Sequence, residues 1–472
     1  MTLLDRAPGP PSWREWLLAA IAAVALLLAL RPVHVSDPYW WDASAVYVPG
    51  AHWLETHHFA ARPGVFPSDL SRGHTPLFYL VLAAAFRLFG TSPTVGHVLV
   101  LVFAASALTL TFALGRVLAG PVAGAAAMIT VAVSPLFLTM SSEALPEIPC
   151  TALTMAVLYA FARGRYRQCA AWGCALVLTK ELAVAAPAAV AGALLLHSLR
   201  RGTFREDLPA IATLSVPAVP LVGFFAWQRL AEGWFITPYH ASLFNTPHSY
   251  LESFEHVVAT LVAFNGRLAL TGAALLAMLL PGPRRVVPEE KGAPARGTVY
   301  VALALLIAAN VAFYTRGWFL DRYALPAHPA VALVAASAFV GFTSRAVARW
   351  SAATLALVVA ITASVAWSER ESGRDYGSGE TTFRYVHAMR AQQAIFAAME
   401  ARGGDPAVLT TWPMSDELRY PYLGWVHRPF RVVNADYADP ASPAPSVDAV
   451  VVFDAVGSAR RLRDQARARG FR

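Results

Sequence analysis

The chain has 472 residues, of which 56% are apolar and only 14% charged, with a mean hydropathy of +0.47. Soluble domains carry about 25% charged residues, and the apolar residues here come in blocks long enough to cross ~30 Å of hydrocarbon, which takes about 20 residues of helix. A water-soluble globule is therefore excluded. So is a nucleic-acid partner, because the net charge of +8 comes from arginines placed in short clusters between apolar blocks, where they orient helices.

In chain order, apolar runs predict spans at about 16–31, 94–116, 120–140, 146–162, 168–181, 182–199, 208–228, 257–280, 298–315, 324–342 and 350–367. No small-residue cleavage site follows the first run, where Arg31-Pro32-Val33-His34 comes next, so it reads as an uncleaved anchor. The run at 76–89 is too short to span; it starts at Pro76, contains Arg87 and ends at Phe89-Gly90, as expected of a helix lying in the interface. After Trp367 the pattern changes to a helical stretch at 383–402, short apolar runs at 407–410 and 449–453, and an arginine-rich amphipathic helix. The expected fold is an all-α polytopic membrane bundle of about 11 transmembrane helices over residues 1–367. Interfacial helices occupy its first outer loop (32–93), and a small α/β extracytoplasmic domain follows over 368–472.

Orientation follows from basic residues in the connections. With the N-terminus inside, the inner segments hold 15 arginines and lysines, among them Arg116, Arg163, Arg200, Arg284, Arg285, Lys291, Arg345 and Arg349; the outer ones hold eight. Counting 76–89 as a span would invert every later loop and turn the basic clusters outward.

With this topology the unusual polar residues fall on one side. The first outer loop carries Asp37, Trp40, Trp41, Asp42, Tyr47, Arg72 and His74. The later outer turns carry Glu143 and Glu147, then Lys180 and Glu181, then Asp321, Arg322 and Tyr323. Carboxylates beside apolar spans are costly and point to function. Cations at headgroup level suit a phosphate whose lipid tail stays in the bilayer, and a neighbouring carboxylate suits a general base.

Local patterns here resemble the GT-C glycosyltransferases, especially the protein O-mannosyltransferase and aminoarabinose-transferase group (family 39-like). Trp41-Asp42-Ala43 looks like that family's acidic motif in its first external loop, and His74-Thr75-Pro76-Leu77-Phe78-Tyr79 looks like its Lys/His-Pro-Pro-Leu-Tyr-Tyr element. Ser142-Glu143 through Glu147 resembles the segment with its second acidic residue. Thr179-Lys180-Glu181 resembles its Thr-Lys-Glu/Asp turn, and Arg322-Tyr323 through Pro326 and Pro329 its Arg-Tyr-x-x-Pro-x-x-Pro element. The resemblance covers about residues 12–367. It implies inverting transfer of a sugar from a polyprenyl-phosphate donor to a lipid, glycan or protein acceptor, at the outer face of a bacterial cytoplasmic (inner) membrane. Carried over, Asp42 is the base and Glu147 or Glu143 the second acid. Lys180 and Arg322 contact donor phosphate, with Tyr323, His74, Arg72 and Tyr47 lining the substrate site. Ala43 stands where the family pairs its Asp with Glu, and His74-Thr75 stands where it has Lys-Pro.

Each residue also has a plainer reading. Asp42 is placed to cap the following helix, and Glu143 or Glu147 to cap the next span. Lys180 is placed to snorkel, and Arg322 to pair with Asp321. His57 and His58 are adjacent and point apart on a helix, and Cys150, Cys169 and Cys174 read as small core residues, so no metal site is assigned; a divalent cation stays open. The rival function is a transporter or flippase of a lipid-linked saccharide. That reading expects charge near mid-span, and Arg267 is the main example.

Overall fold

The computed structural model describes residues 9–31, 33–244, 249–263, 293–317, 319–341, 384–434 and 447–451, with 464, 466 and 467. The expected span at 350–367, most of that at 257–280, the basic residues Arg284, Arg285, Lys291, Arg345 and Arg349, Arg267, and the closing arginine-rich helix lie outside the described residues.

The described chain is mostly helical. Helix α1 covers Trp13–Leu30, with a capping box between Ser12 and Glu15. After a π-helical turn at Ala43–Tyr47 come α2 (Val48–Thr56) and α3 (Leu77–Phe89), the latter a short helix over the run expected at 76–89. The long α4 (Pro93–Ala119) follows, then α5 (Pro121–Ala132) and α6 (Pro135–Met140). The single expected span at 120–140 is thus two helices, parted at Ser134-Pro135, because proline disfavours helical backbone in the residue before it. Helices α7 (Glu147–Ala162), α8 (Tyr166–Thr179) and α9 (Ala185–Arg201) come next, then α10 (Phe204–Ser215) and α11 (Ala218–Glu232). The last two bend by 41° at Val216-Pro217, where the expected span at 208–228 breaks. Helices α12 (Tyr250–Val258), α13 (Arg296–Arg316) and α14 (His328–Gly341) are the last of the bundle among the described residues.

Among the described residues four helices are long and apolar enough to cross a membrane: α1, α4, α13 and the continuous helical stretch Glu181–Arg201. The α10–α11 pair makes a fifth if taken as one broken span. Helix α4 is the hub, packing on α1, α5 and α7, while α7 packs on α8 and α9 on α13. The contact of α4 with α5 depends on two glycines. A Cβ at Gly115 would lie 2.7 Å from the Gly124 Cα, and one at Gly124 would lie 2.4 Å from the Phe112 carbonyl oxygen. Small residues let membrane helices approach this closely.

The two ends of the bundle differ. At one end the start of α1 is tied to the last turn of α4 by the buried Glu15–Arg116 pair at 3.2 Å. Ends expected to be on the same side therefore do meet.

The tail holds α15 (Arg384–Arg402), β1 (Ala407–Thr410), α16 (Met414–Arg419), β2 (Arg431–Asn434) and β3 (Ala449–Val450). The strands form a parallel sheet in the order β2-β1-β3, with Ala407 level with Arg431 and Val408 level with Ala449. Central β1 is buried along its whole length, as strands covered on both faces are. Strand β2 has no counterpart among the apolar runs expected from the sequence. Tail residues Tyr385, Phe396, Met414, Leu418 and Trp425 belong to the same continuous apolar core as the helices.

Because the clash at Gly124 is with backbone, Gly124→Ala is expected to destabilise the protein by about 1–3 kcal/mol. A lowered thermal unfolding midpoint in detergent checks this; an unchanged midpoint would mean that α4 and α5 can separate at little cost.

Candidate active site

Four segments far apart in sequence supply the central charges. Asp42 directly precedes the π-helical turn. Glu147 is the first residue of α7, where unsatisfied N–H groups and the helix dipole favour a carboxylate. Lys180 ends α8 with an extended backbone (φ −156°, ψ 126°), which turns the chain into a short 3-10 helix at Glu181–Val184. Arg322 lies on a second 3-10 helix, Asp321–Ala327, leading into α14.

These side chains meet. Lys180 Nζ donates to Glu147 Oε1 at 2.6 Å, and Arg322 Nε lies 3.4 Å from the same oxygen. Arg322 Nη2 forms a close ion pair with Asp42 Oδ2. Tyr323 covers the group, its ring centroid 4.3 Å from Lys180 Nζ, a cation–π contact. Glu147, Lys180 and Arg322 are buried, whereas the Asp42 side chain is 24% exposed. Two carboxylates thus compensate two cations, as burial requires. Asp321 does not serve Arg322: it accepts from Thr260 Oγ1 at 2.7 Å and meets His256 Nε2 at 2.8 Å. The expectation that it might be Arg322's structural partner is set aside.

A small cavity of ≈ 20 Å³ lies beside Lys180. Glu147, Lys180 and Tyr323 form its polar side, and Leu182, Leu306 and Tyr314 are among its apolar walls.

A second group adjoins the first. His74 Nδ1 is 3.0 Å from Glu181 Oε1, and its ring stacks on Tyr47 at 6.1 Å and faces His240 at 5.0 Å. Arg72 lies over the Tyr239 ring at 5.4 Å. Gly73 between them has φ 74°, and a Cβ there would come within 2.5 Å of Thr237 Cγ2, so only glycine fits. Burial and the neighbouring His74 press the pKa of His240 down to about 4, which keeps that imidazole neutral.

Of the sequence-expected residues, Asp42, Glu147, Lys180, Arg322 and Tyr323 form one group, and Tyr47, His74 and Arg72 the next. Glu143 lies in a different setting, beside Arg31 and Tyr385, where Arg31 Nε donates to Ser142 Oγ at 3.1 Å. Glu147, which opens α7 directly after Pro146, is the acid that meets Lys180. His57 stacks on Trp53 at 4.1 Å, an ordinary packing role. Among the described residues no three His, Cys, Asp or Glu side chains gather as a metal site would need. Sequence reasoning missed His240, and it missed the tail's contacts with the Asp42 segment; neither lies in a pattern that spacing could reveal.

Residues 73–227 match the sequence pattern of the dolichyl-phosphate-mannose-protein mannosyltransferase family. That stretch contains His74, Glu147 and Lys180, with Asp42 and Arg322 outside it. The fold is similar to that of ArnT from Cupriavidus metallidurans bound to undecaprenyl phosphate, with TM-score 0.62 and 15% identity over 90% of this chain and 87% of that one. The apo state of the same protein gives TM-score 0.58 and 15% identity over 88% and 84%. No curated protein matches the sequence.

Removing one member of a buried ion pair leaves an uncompensated charge and costs about 3–5 kcal/mol. Lys180→Ala is expected to lower the unfolding midpoint accordingly, and Lys180→Ala with Glu147→Gln to recover part of the loss. If the double variant is no more stable than the single one, the Glu147 carboxylate is not the buried charge that Lys180 offsets.

Proposed function

We propose that this chain is a GT-C glycosyltransferase that transfers a sugar from a polyprenyl-phosphate donor to an acceptor hydroxyl on a lipid, glycan or protein. The transfer takes place at the outer face of the cytoplasmic membrane. The observation that carries the reading is the meeting of Asp42, Glu147, Lys180 and Arg322 from four separate segments, next to a small cavity with apolar walls. Two cations beside apolar side chains suit the phosphate of a lipid-linked donor, and the similar ArnT structure was solved with undecaprenyl phosphate bound.

In this reading each residue has one task. Lys180 and Arg322 hold the donor phosphate and stabilise the charge it gains as its bond to the anomeric carbon breaks. Glu147 keeps both cations in place. Asp42, the partly exposed carboxylate, takes the proton from the acceptor hydroxyl as that oxygen attacks the anomeric carbon from the opposite face, which inverts its configuration. Polyprenyl phosphate leaves with the electron pair of the broken bond. Arg322 touches both Asp42 and Glu147, so phosphate binding and base placement share one side chain.

The test is transfer by the purified protein from a panel of polyprenyl-phosphate sugars. Asp42→Asn is expected to lose at least ~100-fold in kcat, the usual contribution of a general base, with donor binding retained. Full activity in Asp42→Asn would overturn the base, and donor binding without transfer to any acceptor would favour transport.

A further inference from the structure

The segment that carries Asp42 is held from the far end of the chain. Arg390 of α15 pairs with Asp37 through two bonds, 2.7 and 2.9 Å. Trp425 Nε1 donates to the Tyr39 carbonyl at 2.7 Å, and the Tyr39 N–H donates to the Leu423 carbonyl at 3.1 Å. Trp412 packs edge-on against Trp41, with ring centroids 4.9 Å apart. The fully buried Glu417 of α16 meets Ser44 at 3.0 Å, two residues beyond Asp42, and its other oxygen closely contacts the Gln392 amide.

The backbone at Asp42 needs such support. Trp41 has φ 53°, a left-handed conformation that costs a bulky residue roughly 1–2 kcal/mol. A π-helical turn, itself an uncommon form, follows immediately. Strain on one side and an irregular turn on the other persist only where surrounding contacts over-determine them, and here the contacts come from residues 384–434.

We propose that Glu417 is a positioning residue for Asp42: it carries a proton, donates it in a hydrogen bond to Ser44, and so locks the tail onto the segment that presents the base. Its surroundings favour a neutral acid. The groups facing it are Ser44 from the first loop, Gln392 from α15 and Asp416 from its own helix, and none is a cation. The Ser44 hydroxyl has one hydrogen and two acceptors within reach, the Trp41 carbonyl at 2.8 Å and Glu417 Oε1 at 3.0 Å. Both contacts are hydrogen bonds at once when Glu417 carries a proton and donates it to Ser44, while the Gln392 amide donates to the remaining oxygen. Burial accordingly raises the Glu417 pKa from its ordinary 4.5 to about 8. A carboxyl raised in this way is docked most firmly below pH 4.5, and docking weakens as pH rises to about 8.

The inference rests on the assignment of Asp42 as base, so two readouts separate them. The first is hydrogen exchange of the amides of residues 43–48 in the full-length protein, corrected for the intrinsic pH dependence. Protection is expected to fall in the wild type between pH 6 and 9 and to persist in Glu417→Gln, whose amide donates without titrating. Parallel loss in both proteins, or no loss in either, would overturn the lock. The second is transfer. Glu417→Ala is expected to lower kcat roughly 10- to 100-fold, as misplacement of a reacting group does, with donor KM within about twofold, whereas Glu417→Gln keeps kcat and flattens the decline above pH 7. Wild-type kcat in Glu417→Ala, or an unchanged alkaline decline in Glu417→Gln, would overturn positioning. If the wild type transfers no sugar, the functional reading fails and the exchange result alone decides whether the lock exists.

Discussion

Everything at the candidate site depends on one buried carboxylate, Glu147. A lone charge in an apolar bundle costs more than any nearby packing can supply, so the first turn of α7 draws cations to it. Lys180 arrives because α8 ends there, and Arg322 because a 3-10 helix replaces a regular start to α14. Arg322 in turn fixes Asp42. Three irregular helix ends are thus held in register by one oxygen, Glu147 Oε1.

The bundle supplies the rigidity this needs. Close helix approach at Gly115 and Gly124 fixes α4 against α5, and α4 also carries α7. Pro135 and Pro217 part consecutive helices, and Pro146 stands directly before α7. Chemistry-bearing residues therefore sit at breaks, where side chains can turn inward, and not along uninterrupted helices.

Much of this was legible in the sequence because membrane composition leaves few places for charge. Asp42, Glu147, Lys180 and Arg322 stood out as charges beside apolar runs, and those runs placed α1, α3, α4 and α13 to within a few residues. Glu143 and Glu147 could not be separated by spacing; the fold sets one beside Arg31 and the other against Lys180. Breaks inside expected spans, at 134–135 and 216–217, show proline overriding an otherwise continuous apolar pattern. The tail's grip on the first loop was invisible. Asp37–Arg390, Tyr39–Trp425 and Ser44–Glu417 join residues more than 350 positions apart, and no local pattern encodes such partners.

That separation bears on how the protein is made. Chains emerge N-terminus first, so Asp42 is in place long before Arg390, Glu417 and Trp425 exist. The α7, α8 and α14 contacts close over shorter stretches, whereas those with the tail wait for nearly the whole sequence, and long loops close slowly. A half-made bundle can hold the cations of the site while the turn at Trp41 is still free to relax out of its strained conformation. The synthesis of residues 384–434, not the assembly of the membrane helices, is then the step that completes the first loop.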